Sequence, residues 1–78
     1  MTQEKKAVFD PNALFDTIIK ESQLKNDAAL ARSLGVAPPT ISNMRRQRLQ
    51  VGPSMILSIL EHHHMPLARI RRLLANLD

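Results

Sequence analysis

Apolar residues return at helical intervals along most of the chain, and prolines and glycines cut the pattern into short segments. Leu14, Phe15, Ile18 and Ile19 fall at i, i+1, i+4 and i+5, one stripe of a 3.6-residue period. The first helix is therefore predicted to start at Pro11 and to fade near Ser22–Leu24. Asp10 is its N-cap, and proline costs nothing at the first helical position, where its missing N–H would have been unpaired. A second helix opens with Asn26 or Asp27 as cap, buries Ala28, Leu30, Ala31 and Leu34, and stops at Gly35, where a left-handed residue is cheap. A third begins at Pro38–Pro39 and runs to about Gln47. A fourth opens at Pro53, runs to about His63 and carries Met55, Ile56, Ile59, Leu60 and His63 on one stripe. A fifth opens after Pro66, runs to about Asn76 and carries Leu67, Ile70, Leu73, Leu74 and Leu77. Nothing alternates with period two over a useful length, so no strand is expected.

The expected fold is thus all-α, a compact five-helix bundle with short connections. Residues 1–9 read as a polar N-terminal tail from which Val8 and Phe9 can pack back, and residues 10–78 as one domain. At 78 residues the chain hides roughly 60–65% of its unfolded surface, so every helix must give a face to one core. The absence of cysteine removes disulfides, thiolate metal sites and cysteine nucleophiles together. No apolar run approaches the ~20 residues of a membrane span, and no charged-then-apolar leader opens the chain. A soluble, cytoplasmic domain is the expectation.

Charge changes the picture through its distribution. Residues 1–27 hold four lysines against five acids. Residues 28–60 hold Arg32, Arg45, Arg46 and Arg48 and no acid. Residues 61–78 hold Arg69, Arg71 and Arg72 against Glu61 and Asp78. An acid-free stretch in the middle of a small domain is a local positive field that suits a polyanion, although a solvated basic face would look the same.

The chemistry of that stretch is ordered. With Pro39 at the origin of a helical wheel of about 100° per residue, Ser42, Asn43 and Arg46 fall within about 60° of it. Ile41 and Met44 lie opposite, and Thr40 and Arg45 flank the edges. One helix thus combines an apolar back with a polar front of groups that read base edges or hold phosphates. A merely solvated face more often pairs Glu with Lys at i, i+4, and here there is no acid to pair.

The segment from Asp27 to Arg46 resembles the helix-turn-helix of the Cro/C1-type (XRE-type) family of bacterial and phage DNA-binding domains. Ala31 stands at the helix crossing, where anything larger than a methyl would push the two helices apart. Gly35 stands at the turn, Val36 packs inward after it, and Ile41 anchors the second helix with Met44 one turn later. Leu30 and Leu34 complete the small core between them. A plain helical hairpin would share the Ala/Leu spacing and the Gly stop. The family resemblance implies a lambda repressor-like fold whose second motif helix lies in the major groove. Carried over by position, Ala37, Pro38, Pro39, Ser42, Asn43 and Arg46 face the bases. Asn43 suits adenine N6/N7, Arg46 suits guanine O6/N7, and Ala37 or the proline rings suit a thymine methyl. Thr40, Arg45 and Arg48 are placed for phosphate oxygens, and the helix N-termini at Asp27 and Pro38 offer amide donors. The Pro38–Pro39 pair departs from the common pattern, because it removes two of those donors.

Other constellations carry less. His62, His63 and His64 point about 100° apart on a helix and cannot converge on one ion; they suit a helix C-terminus, with His63 the most buried. Arg69, Arg71 and Arg72 either reach phosphates or keep the domain soluble. The leucine stripe of the fifth helix (Leu67, Ile70, Leu73, Leu74, Leu77) is broad enough to include a two-fold dimer contact, or else closes the bundle. With only Phe9 and Phe15, base-stacking RNA modules are disfavoured. Scattered acids, no nucleophile–base pattern and no glycine-rich phosphate loop leave no case for an enzyme, a cofactor, a metal or a small-molecule ligand. The expected function is a homodimeric, sequence-specific regulator of transcription, a repressor bound to an inverted repeat of double-stranded DNA. The alternatives are an antitoxin- or adaptor-type protein-interaction module using the last helix, and a nonspecific architectural DNA binder.

Overall fold

The computed structural model of the chain describes residues 10–75. Within these residues five helices follow one another: α1 (Pro11–Glu21), α2 (Asp27–Leu34), α3 (Pro38–Arg45), α4 (Pro53–His63) and α5 (Leu67–Leu74). No strand occurs among the described residues. The tail at residues 1–9, and Asn76 and Leu77 at the expected end of the fifth helix, lie outside them.

Local chemistry sets the boundaries. Asp10 caps α1, its Oδ1 accepting from the Asn12 N–H at 3.0 Å, with Pro11 behind it at the first helical position. Of the two candidate caps for α2, Asn26 takes the role: its Oδ1 accepts from the Ala29 N–H at 2.9 Å. That choice leaves the Asp27 carboxylate for another partner. Three helices, α1, α3 and α4, open on a proline, and each of them starts where the proline pattern predicts. α3 is shorter than expected. It ends at Arg45, and Gln47 turns left-handed at φ 61°. The Arg48 and Leu49 N–H groups then both donate back to the Asn43 carbonyl, at 2.8 and 3.3 Å, which folds the following loop against the end of α3.

The core draws on every helix. Leu14, Phe15 and Ile18 of α1 meet Leu30, Ala31 and Leu34 of α2, Ile41 and Met44 of α3, Met55 and Ile59 of α4, and Ile70, Leu73 and Leu74 of α5. Met65, in the α4–α5 connection, is buried with them; it belongs to no helical stripe, so periodicity did not point to it. No polar or charged side chain is buried among the described residues. α2 lies most extensively against α3, and α1 against α5. The Asp10 N–H donates to the Leu74 carbonyl at 2.6 Å, so the start of α1 is tied to the end of α5.

This packing corrects the reading of α5 as a dimer stripe. Ile70, Leu73 and Leu74 are closed inside the chain's own core and cannot meet a second copy. In so small a domain the core needs all three. Leu67, at the head of α5, is exposed.

Candidate nucleic-acid interface

α2 ends in a tight left-handed turn. Gly35 has φ 73°, its N–H donates to Arg32 O at 3.2 Å, and the Val36 N–H reaches back to Ala31 O at 3.0 Å. These two crossed bonds are the Schellman arrangement, which satisfies the last carbonyls of the helix and reverses the chain in few residues. Val36 packs against the core, and α3 begins two residues later.

The core contacts of α3 show which of its sides is turned inward. Ile41 and Met44 are its buried residues. Ala37, Pro38, Pro39 and Arg46 are exposed, and Thr40, Ser42 and Asn43 are half-buried. The six residues expected at base edges therefore lie outside the core, along the outward side of one helix and its two ends. Arg48 is exposed in the loop that folds against the end of α3. The Thr40 N–H is taken by the Ala37 carbonyl at 2.9 Å. Since the two prolines have no N–H, little amide donor capacity is left at this helix terminus.

Arg45 does not join that outward face. Its side chain is only 19% exposed and turns back into the domain. Nε donates to Asp27 Oδ2 at 2.9 Å and Nη2 to Asp27 Oδ1 at 3.0 Å, a two-pronged pair with the first turn of α2. Nη2 also donates to Asp16 Oδ1 at 2.8 Å, and Nη1 to Asn12 Oδ1 at 2.8 Å, both on α1. The guanidinium carbon stands 5.7 Å from the ring centre of the buried Phe15, within cation–π range. Burial opposes its charge, but the hydrogen bonds and charges of Asp27 and Asp16 outweigh this and hold its pKa above the ordinary arginine value. The phosphate role expected of Arg45 is thus corrected: the guanidinium is spent on Asp27, Asp16 and Asn12. Of the amide donors at the Asp27 terminus, the Ala29 N–H is taken by Asn26. Asn12 and Asp16 stand four residues apart on one face of α1, a spacing visible in the sequence; that the face meets α3 was not.

The remaining basic and imidazole groups divide. Arg69 binds both carboxylate oxygens of Glu21, Nη1 to Oε1 at 2.9 Å, so it links α5 to the end of α1. Arg71 and Arg72 are exposed on α5. His62 and His64 are exposed, while His63 is half-buried between Ser22 and Ser33, with Nδ1 3.0 Å from Ser22 Oγ and Nε2 2.9 Å from Ser33 Oγ. Burial, then the charges of His62 and His64, lower its pKa below the usual imidazole value. Among the described residues no three metal-binding side chains converge, and no helix is long and apolar enough to cross a membrane.

No family model, no curated protein and no solved structure matches the chain.

Proposed function

We propose that this chain is a sequence-specific double-stranded DNA-binding regulator of transcription, with α2, the Gly35 turn and α3 acting as a helix-turn-helix. The observation that carries the reading is the division of α3. Ile41 and Met44 hold it to the core, while Pro39, Ser42, Asn43 and Arg46 line its outward side without an acid among them. Asn and Arg are the side chains that pair bidentately with adenine and guanine in the major groove, and a helix is the element that fits there. The acids that touch α3, Asp16 and Asp27, are bound by Arg45, so they present less unpaired negative charge to a phosphate backbone. Thr40 and Arg48 flank the reading side and suit phosphate oxygens.

Two copies on an inverted repeat would set their reading helices ~34 Å apart, one turn of duplex. With most of the α5 stripe inside the core, Leu57 on α4 and Leu67 are the large exposed apolar side chains away from α3 among the described residues, and they are the candidates for pairing. Such a regulator works in the cytoplasm, on the nucleoid, and represses by occluding promoter DNA. In-vitro selection from random duplex, followed by gel shifts at increasing salt, tests the reading. One enriched, two-fold symmetric site and an affinity that falls steeply with salt are expected. A flat salt titration, or no enrichment, overturns it.

A further inference from the structure

We propose that Arg45 is the positioning residue of α3: it sets the angle at which this helix lies on the bundle, and thereby the discrimination among DNA sequences. The second half rests on the DNA-binding reading above; the first half stands without it.

α3 has eight residues and two buried apolar side chains, Ile41 and Met44. Apolar contact is non-directional. Two such contacts hold a short helix near the core but leave its roll and tilt soft. Directional restraint comes from the last turn, where Arg45 uses four hydrogen bonds to bind three acceptor side chains. Asn12 and Asp16 lie on α1 and Asp27 lies on α2, so the anchor points come from two separate helices. A planar guanidinium with donors in a fixed fork transmits their positions to the backbone of α3. The bond from Asn12 Nδ2 to the Arg45 carbonyl, at 3.5 Å, adds a weak return contact. Phe15 beneath the guanidinium is fully buried and supplies a floor that does not yield.

The leverage follows from helix geometry. A roll of about 20° moves an atom at the ~5–6 Å outer radius of a helix by about 2 Å. A bidentate contact to a base edge does not survive that displacement, whereas contact with a continuous phosphate backbone can be re-made nearby. Loss of the brace should therefore weaken selectivity more than general affinity. A lysine at this position keeps the charge but offers a single point of attachment, so it should not restore the angle.

The test uses the full chain and its variants Arg45→Lys, Arg45→Gln and Asp16→Asn. Residual dipolar couplings without DNA report the orientation of α3 relative to α1 and α2. Binding to the selected and to a scrambled duplex, at several salt concentrations, reports selectivity and the number of phosphate contacts. Both Arg45 variants are expected to reorient α3 and to lower the ratio of selected to scrambled affinity by about tenfold or more, with an unchanged salt slope. Asp16→Asn, which alters only an exposed acceptor, should shift α3 in the same sense by less, and keeps the test open if an Arg45 variant does not fold. Unchanged couplings in all folded variants overturn the proposal. So does retained selectivity in Arg45→Lys with a salt slope reduced by about 0.9 in Arg45→Gln, the signature of a phosphate ligand. If the unaltered chain binds no duplex, the DNA reading fails and the couplings alone decide whether Arg45 sets the helix angle.

Discussion

The Ser33 hydroxyl links His63 to the backbone of α2 and thereby assigns the proton on the imidazole. Ser33 Oγ donates to the Leu30 carbonyl at 2.8 Å, so it can only accept from His63 Nε2, 2.9 Å away. Nε2 then carries the hydrogen, and Nδ1 accepts from the Ser22 hydroxyl at 3.0 Å. One neutral ring joins the end of α1, α2 and α4.

A pH dependence follows with a definite sign. His63 binds a proton less readily in the folded chain than in the unfolded one, because burial and the charges of His62 and His64 oppose its cation. Its contribution is fully present above the ordinary imidazole value, near 6.5, and is lost as pH falls through that value toward the lower folded one. The Tm measured from pH 8 down to pH 5 should fall over this window. The fall should be smaller in His63→Gln. An equal fall in both chains would assign it to other groups. Nitrogen-15 shifts of the ring above the transition should report the Nε2–H tautomer.

The two glycines should respond oppositely. Gly35 has φ 73°, and a Cβ there meets nothing within 4 Å, so Gly35→Ala is resisted by backbone strain alone. About 1–2 kcal/mol of destabilisation is expected in a urea titration. Gly52 has φ −93° and open space around it, and it caps α4 without a side-chain hydrogen bond. Gly52→Ser adds that bond and stiffens the unfolded chain, which should gain about 0.5–1 kcal/mol.

The apolar residues of α5 separate core from surface. Leu73 is 4% exposed and Leu67 is 44% exposed. Leu73→Ala should cost about 2–5 kcal/mol of folding stability. Leu67→Ala should leave monomer stability within about 0.5 kcal/mol. If Leu67 pairs two copies, its loss should shift the sedimentation profile toward monomer, while a profile that does not move would exclude it from pairing.

On DNA, Arg46 and Arg48 should behave differently. Arg46→Ala is expected to cost about 1–3 kcal/mol and to relax preference at a single base pair, read by gel shifts with single-base operator variants. Arg48→Ala should weaken all variants alike and lower the salt slope by about 1. Uniform weakening by Arg46→Ala would move that residue to the phosphates.

Arg45 marks the limit of what the wheel of α3 conveys. Its position at the edge between polar and apolar sides is legible, and from there a guanidinium can reach outward or fold back. Its destination depends on Asp27, 18 residues away, and on Asn12, 33 residues away. The Ser22–His63–Ser33 bridge is of the same kind, with partners 41 and 30 residues apart in the chain. The α5 stripe was ambiguous for a related reason: periodicity reports which residues are apolar, and not whether their own core or a second copy covers them.

The amino-acid order alone determined, to within a turn, where helices begin and end, and which side of each is apolar. Asp10, Asn26, Gly35 and the prolines act on backbone within about four residues of themselves, so their effects do not await the rest of the fold. Only the tertiary structure decided what the long polar side chains hold, which leucines the core consumes, and how α3 is braced. Those outcomes depend on distances between helices, which exist only once the apolar faces have closed on one another.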